Sequence, residues 1–245
     1  MIALLAAVPE ETNLIRQALQ DVEQRLVNGI TLMTGKLYGN NIYLTHSGIG
    51  KAAAAATAIT LLSNCQPKAL WLFGCGGAYL NSGLTIGDLA LANSEVFGDE
   101  GVATDKGFCD FAGMGIPMRQ TSGQFFNTWP VNQQLHNWAQ PLLEKHAENT
   151  GTTLRSGTFV TLSTCTGTTA KATEIENRTD GICENMEGAA VALACQQLKV
   201  PLLEVRGISN MVEDRGASRW DLPAGMTAAQ KAALALFQAW PGQIS

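Results

Sequence analysis

The sequence predicts an α/β fold, a three-layer αβα sandwich on a mixed central sheet. Three observations carry that expectation. Short apolar runs of strand length recur along the chain, and several are apolar on both faces, as strands covered by helices on each side must be. Between them lie stretches of strong helix formers on an apolar stripe. Such alternation is the pattern of a layered α/β architecture. The 245 residues, 46% hydrophobic and 15% charged, suffice for one sizeable core, so residues 1–245 are expected to form a single domain.

The elements follow in order. "IALLAAV" (2–8) reads as a first buried strand; it is short, lacks a basic flank and runs into Pro9, Glu10 and Glu11, unlike a signal peptide. "EETNLIRQAL" then starts a helix, "NIYLTHS" (41–47) is a strand, and "KAAAAATAITLLSN" is a helix. "ALWLFG" (69–74) and "GDLALANS" (87–94) are strands, "EGAAVALACQQL" is a helix, and "VPLLEVRGIS" (200–209) is a buried strand. Residues 98–128 are Gly-rich, mixed in charge and aperiodic, and are expected to form a long surface excursion of the functional or disordered kind.

Composition excludes several function classes. Net charge is −5 and no Lys/Arg stripe is present, so nucleic acid and anionic membrane are not expected partners. No run approaches the roughly 18 apolar residues of a membrane span. The six cysteines are scattered without a C-x-x-C pair, and the three histidines have no metal-ligand spacing. A cytoplasmic protein without metal or cofactor is expected.

Two glycine clusters, "SGIGKAAAAA" (47–56) and "FGCGGAY" (73–79), each follow a strand. They are either tight strand-to-helix turns or places where backbone approaches a ligand at the carboxyl ends of strands, and neither matches a nucleotide fingerprint. Glu10 and Glu11 follow the first strand, where acids complement a helix dipole and where a general base would also stand. In "CENMEGAAVALAC" (183–195), Asn185, Met186 and Glu187 precede a run of small residues. Glu187 either caps the helix or, with Met186, is pushed outward into a pocket. Arg206, inside an apolar strand, needs buried partners, for which Glu11 and Glu187 are candidates. Asn210 is either a turn amide or a recognition group.

The order of these motifs (Glu after strand one, "SGIGKAAAA", "GCGGA", "NMEGAA", "VRGISN") resembles the purine nucleosidase and nucleoside phosphorylase superfamily over nearly the whole chain. The nearest well-known pattern is that of the methylthioadenosine/S-adenosylhomocysteine nucleosidases. "RGISN" followed by "RWDLP", and "TCTGTTAKA" (164–172) with Thr166, look most like the futalosine hydrolases. The resemblance implies a nucleoside phosphorylase-like fold and cleavage of the N-ribosidic bond of a small-molecule nucleoside. It implies that Glu11 activates the attacking water, that Arg206 orients nucleophile and acid, and that Glu187 holds ribose hydroxyls with Met186 packed on the sugar. Asn185, Cys75, Gly76 and Thr166 are then further substrate-site residues.

Adenine nucleosidases keep an aspartate where this chain has Asn210. Hypoxanthine offers O6 as an acceptor beside N7, so one amide donates its NH₂ to O6 and accepts N7–H with its carbonyl, whereas adenine would set donor against donor. Mismatches of this kind reach a discrimination of about 10⁴-fold. The expected substrate is a 6-oxopurine nucleoside such as futalosine of the menaquinone pathway. Asn210 cannot itself supply a proton, so N7 is protonated from water or through a relay.

Phosphorylases of this superfamily bring in phosphate with arginines; here the corresponding positions, around Leu72 and Phe73 and in "VPEET", carry none. Water is therefore the expected nucleophile, with an adenine-type nucleosidase, a 6-oxopurine phosphorylase and a silent nucleoside-binding module as alternatives. Cys75 stands where the nucleosidases have serine in their "G-S-x-G-G" turn, which leaves its role open. The loop with Arg215, Arg219 and Trp220 is either a solvated segment or a closure over the 5′ substituent, one arginine meeting a carboxylate there. Phe108, Phe111 and Trp220 are candidate rings for that arm. The resemblance also implies a homo-oligomer, a dimer or higher, and apolar residues within 98–128 suit an interface.

Overall fold

The computed structural model describes residues 1–105, 107–120, 123–216 and 219–242. β1 (Ile2–Ala6), a 3-10 turn (Pro9–Thr12) and α1 (Asn13–Ala18) lead into β2 (Gln20–Val27), β3 (Ile30–Leu37), β4 (Asn40–His46) and α2 (Lys51–Cys65). β5 (Ala69–Ala78) and β6 (Leu89–Phe97) follow, then β7 (Gly101–Thr104), β8 (Gly107–Asp110), α3 (Phe111–Met114), β9 (Arg119–Gln120), β10 (Gln124–Phe125) and β11 (Thr128–Pro130). The chain continues through α4 (Gln133–Thr150), β12 (Leu154–Thr161), α5 (Thr169–Thr179), β13 (Gly181–Asn185), α6 (Gly188–Leu198), β14 (Leu202–Met211) and α7 (Leu222–Ala239).

Successive side chains of a strand point to opposite faces, and the two cores divide accordingly. Ala3, Leu5, Leu70 and Leu72 pack with α2 and α6, whereas Ile2, Leu4, Trp71 and Phe73 pack with α1, α4 and α7. This is the layered α/β arrangement expected, with helices on both faces of a mixed sheet. Ten strands form that sheet in the order β11-β6-β12-β13-β5-β1-β4-β3-β2, and β14 pairs with both β5 and β6. β5, β14, β6, β12 and β13 thus pair in a ring, and the short β11 hangs on β6 as the edge strand at this end of the sheet.

Two expectations need correction. Gly74, Gly76 and Gly77 do not turn the chain from a strand into a helix; they lie inside β5, which runs on to Ala78. Their φ angles are not in the left-handed region, and what they provide is room for neighbouring side chains. The stretch 98–128 is not without structure either: it forms the β7–β8 and β9–β10 hairpins and α3. Asn127 pins it, donating to Phe97 O at 2.9 Å and Glu100 O at 2.8 Å while accepting from Phe111 N at 2.8 Å. Lys106, Thr121 and Ser122 of this stretch lie outside the described residues.

Candidate active site

A cavity of about 280 Å³ opens where β1, β13 and β14 end and over the last residues of β5, the place where open α/β sheets receive ligands. Glu11, Cys75, Gly76, Asn185, Met186, Glu187, Arg206, Asn210 and Trp220 all line it. Two depressions of larger volume, about 410 Å³ beside β2 and β3 and about 450 Å³ between α4 and α7, gather no comparable set of buried acids.

Glu11 reaches the cavity because the 3-10 turn folds it back over the end of β1. It is only 5% exposed. Its Oε2 accepts from the Ala7 amide at 2.9 Å, and its Oε1 accepts from the Cys75 amide at 2.8 Å and from the Cys75 thiol at 3.4 Å. A Cβ on Gly74 would overlap the Glu11 carboxylate, so glycine is required there for the acid to lie against β5. Burial, and next the Glu11 charge, push the Cys75 thiol up. It therefore stays protonated and donates to Glu11, which gives Cys75 a role despite its weak donor.

Glu187 is free for another task because its neighbours satisfy the start of α6. Asn185 Oδ1 accepts from the Glu187 and Gly188 amides at 2.9 and 2.7 Å, and Thr161 Oγ1 accepts from the Ala189 amide at 2.7 Å. The capping alternative for Glu187 is thereby removed; its side chain caps nothing. Instead Oε1 accepts from the Gly50 amide at 2.9 Å, and Oε2 lies 3.4 Å from Arg206 Nη1. Gly50 has φ +96°, a backbone open to glycine at little cost. The first glycine cluster thus delivers an N–H to an acid 137 residues away. Asn185 lines the cavity, yet both halves of its amide are engaged, since Nδ2 donates to Glu95 at 2.7 Å.

Arg206 is 2% exposed and joins these groups. Nε donates to Glu204 at 2.9 Å, and Nη1 donates to Cys75 O at 3.1 Å besides facing Glu187. Of its two anticipated partners, Glu187 is in reach, and Glu11 is connected through Cys75. The shortest contact, Glu204, was not anticipated. Arg206 Nη2 is buried without a protein acceptor among the described residues, a costly state that a substrate hydroxyl or nucleophilic water would relieve. Behind it, Glu204 stands close to Glu95, since a Cβ on Gly188 would overlap both carboxyl groups. Burial pushes both carboxyls up, and the adjacent Glu204 charge adds to the rise in Glu95. Two buried carboxylates cannot both ionise cheaply, so the pair holds a proton.

The other end of the cavity is built by a break in the register of β14. Ile208 pairs with Gly76 and Asn210 with Gly77, which leaves Ser209 as an extra residue. Such a bulge re-aims a side chain. Asn210 Nδ2 donates to Met211 O at 3.2 Å, and the Ser209 hydroxyl lies 2.9 Å from Asn210 Oδ1. Those contacts set the direction of the amide and leave one N–H and one lone pair for a ligand. Asn210 also bridges to Trp220, closing the base of the loop between them.

The remaining expected residues are placed differently. Thr166 does not line the cavity; its amide donates to Glu184 Oε1 at 3.0 Å. Arg215 and Arg219 are exposed and outside the lining, with the Arg215 guanidinium 4.9 Å from the centre of the Trp220 ring. Their loop is strapped to the start of α5, since the Thr169 amide donates to Asp214 at 3.0 Å and the Arg215 amide to Gly167 O at 3.2 Å. Ala217 and Ser218 lie outside the described residues. Phe108 sits under Arg178 and Phe111 opens α3; of the three candidate rings, Trp220 alone lines the cavity. Sequence reasoning missed Glu184, Glu204 and Glu95. The only available signal was an acid inside an otherwise apolar strand.

The phosphorylase superfamily profile matches residues 1–239. This chain belongs to the phosphorylase superfamily. Among superfamily relatives, the 5′-methylthioadenosine/S-adenosylhomocysteine nucleosidase of Psychromonas ingrahamii is 29% identical over 217 residues, 86% of this chain and 85% of that protein. The corresponding nucleosidase of Neisseria meningitidis, solved with methylthio-immucillin-A, superposes with a TM-score of 0.82 at 19% identity over 98% of this chain and 99% of the other. The futalosine hydrolase of Helicobacter pylori superposes with a TM-score of 0.80 at 20% identity over 98% and 97%. These two superpositions establish a shared superfamily fold.

Proposed function

We propose that this chain hydrolyses the N-ribosidic bond of futalosine, releasing hypoxanthine and dehypoxanthine futalosine. Relatives in sequence include 5′-methylthioadenosine/S-adenosylhomocysteine nucleosidases, and in this reading the chain is an N-glycosyl hydrolase of purine nucleosides. The observation that carries the choice of base is Asn210, an amide fixed at the cavity wall with one donor and one acceptor to spare. Its Nδ2 serves O6 and its Oδ1 receives N7–H, a pairing that adenine cannot match.

At the sugar end Glu11 takes the proton of the attacking water, a contribution of about 10²–10⁴-fold. Positive charge developing on the ribosyl ring is stabilised by the Glu11 and Glu187 carboxylates. Glu187 accepts from ribose hydroxyls, and Arg206 Nη2 orients the water. The N7 proton comes from solvent, since Asn210 has none to give. Phosphate is disfavoured as nucleophile on charge: among the described residues Arg206 is the only Lys or Arg in the lining, and Glu204 and Glu187 already engage it. The exposed Val102 and Ile116 support a homo-oligomer contact near the excursion.

The test is to incubate the purified protein with futalosine, inosine and methylthioadenosine, with and without phosphate, and to separate the freed bases by chromatography. Hypoxanthine from futalosine without phosphate is the expected outcome. Adenine release would overturn the account of Asn210, a phosphate requirement would make the chain a phosphorylase, and no base from any substrate would leave a binding module.

A further inference from the structure

We infer that Glu184 is a second specificity-determining residue, accepting the ring N1–H of a 6-oxopurine while Asn210 holds the O6 and N7 edge; this deepens, and rests on, the 6-oxopurine reading above. Two neighbouring strands place it there. Glu184 on β13 and Asn210 on β14 are both register partners of the same residue, Gly77 of β5. A Cβ on Gly77 would lie 3.0 Å from Asn210 Nδ2 and 3.3 Å from Glu184 Cγ. Amide and carboxylate therefore stand side by side across one missing side chain, and both line the cavity.

The chemistry of the pair follows from what each has left to offer. Glu184 is 7% exposed, and among the described residues its donors are the Thr166 amide on Oε1 at 3.0 Å, the Thr166 side chain, and the Tyr79 hydroxyl on Oε2 at 3.3 Å. A carboxylate has about four acceptor sites, so these donors leave a lone pair for a ligand. A 6-oxopurine presents N1–H next to O6, a donor beside an acceptor, and Glu184 beside Asn210 Nδ2 is the complementary order. Adenine presents the reverse at both positions, an unprotonated N1 beside an amino group, so it would be mismatched twice. Anchoring the 164–166 segment through the Thr166 amide would need only one acceptor oxygen, which a neutral amide also has.

The experiment measures binding of free bases by calorimetry, which needs no 5′ arm and no turnover. Hypoxanthine, 1-deazahypoxanthine (C–H in place of N1–H) and adenine are titrated into the wild-type protein and into Glu184→Gln, whose amide oxygen keeps the Thr166 contact. The expected result is that wild type binds hypoxanthine at least about tenfold tighter than its 1-deaza analogue, and that this ratio falls toward one in E184Q while adenine gains relative to hypoxanthine. Equal affinity of wild type for hypoxanthine and the 1-deaza base would overturn the inference without any variant. So would an unchanged ratio in E184Q with both affinities lowered, which marks Glu184 as a loop anchor. Adenine bound and hypoxanthine refused would instead remove the 6-oxopurine reading itself, and this inference with it.

Discussion

At the end of the cavity that holds Glu11, Glu187 and Arg206 each polar group is braced from behind. The Ala7 and Cys75 amides hold Glu11, Gly50 and Arg206 hold Glu187, and Glu204 holds Arg206. Along the rim, the loop between Asn210 and Trp220 is tied at its base and to Thr169, while Arg215 and Arg219 stay exposed. A buried, braced network fixes geometry for chemistry, whereas exposed side chains on a strapped loop meet whatever part of a ligand protrudes. Substitutions at the first should therefore act on kcat, and at the second on KM.

Glu11→Gln is the strongest way to break the comparison. With the proton acceptor lost, kcat should fall by about 10²–10⁴-fold with little change in KM; a KM effect alone would place Glu11 in binding. Asn210→Asp sharpens it at the base end, where the preference for hypoxanthine over adenine nucleosides should shift toward adenine by about 10²-fold, measured as the ratio of kcat/KM values. At the rim, joint replacement of Arg215 and Arg219 by Ala should raise KM for futalosine by roughly tenfold, the value of one charge-assisted contact to a carboxylate, and leave a short 5′ analogue unaffected. Equal effects on both substrates would show that the loop does not read the arm.

The smallest effect expected is on stability. Glu95 is pushed up by burial and by Glu204, so above the ordinary carboxylate range the folded chain keeps a proton that the unfolded chain has released. Stability then falls as pH rises through that window. Glu95→Gln places a donor beside Glu204 without a titrating proton, and should flatten the decline of Tm as pH rises above the ordinary carboxylate range. An unchanged slope would mean that the pair does not hold the proton.

Much of the site was legible from sequence where a chemically expensive residue sat in an apolar context. Arg206 and Glu187 announced themselves in that way, and the buried strands that carry the sheet did so through runs apolar on both faces. What could not be read depends on contacts distant in sequence. Glu95 and Glu204 meet only because β6 and β14 pair, and nothing near either residue signals the other. For the β5 glycines the sequence left a turn and a close backbone approach both open, because a glycine that bends a chain and a glycine that makes room have the same letter. β2 is exposed along nearly its whole length, so it lacks the apolar alternation that reveals a half-buried strand.

The glycines of β5 also change how mutations there should be interpreted. Elsewhere in the cavity, trimming a side chain asks what it contributed; at Gly74 and Gly77 there is nothing to trim, and the only available change is addition. A methyl group at Gly74 would occupy the place of the Glu11 carboxylate, and one at Gly77 would stand between Asn210 and Glu184. Each would act as an obstruction covalently built into the chain, the first displacing the Glu11 carboxylate and the second crowding Val212, Asn210 and Glu184. The capacity of this strand to host a ligand is written in atoms it lacks, so diversification of substrate preference has to proceed through its neighbours β13 and β14, where side chains can still be exchanged.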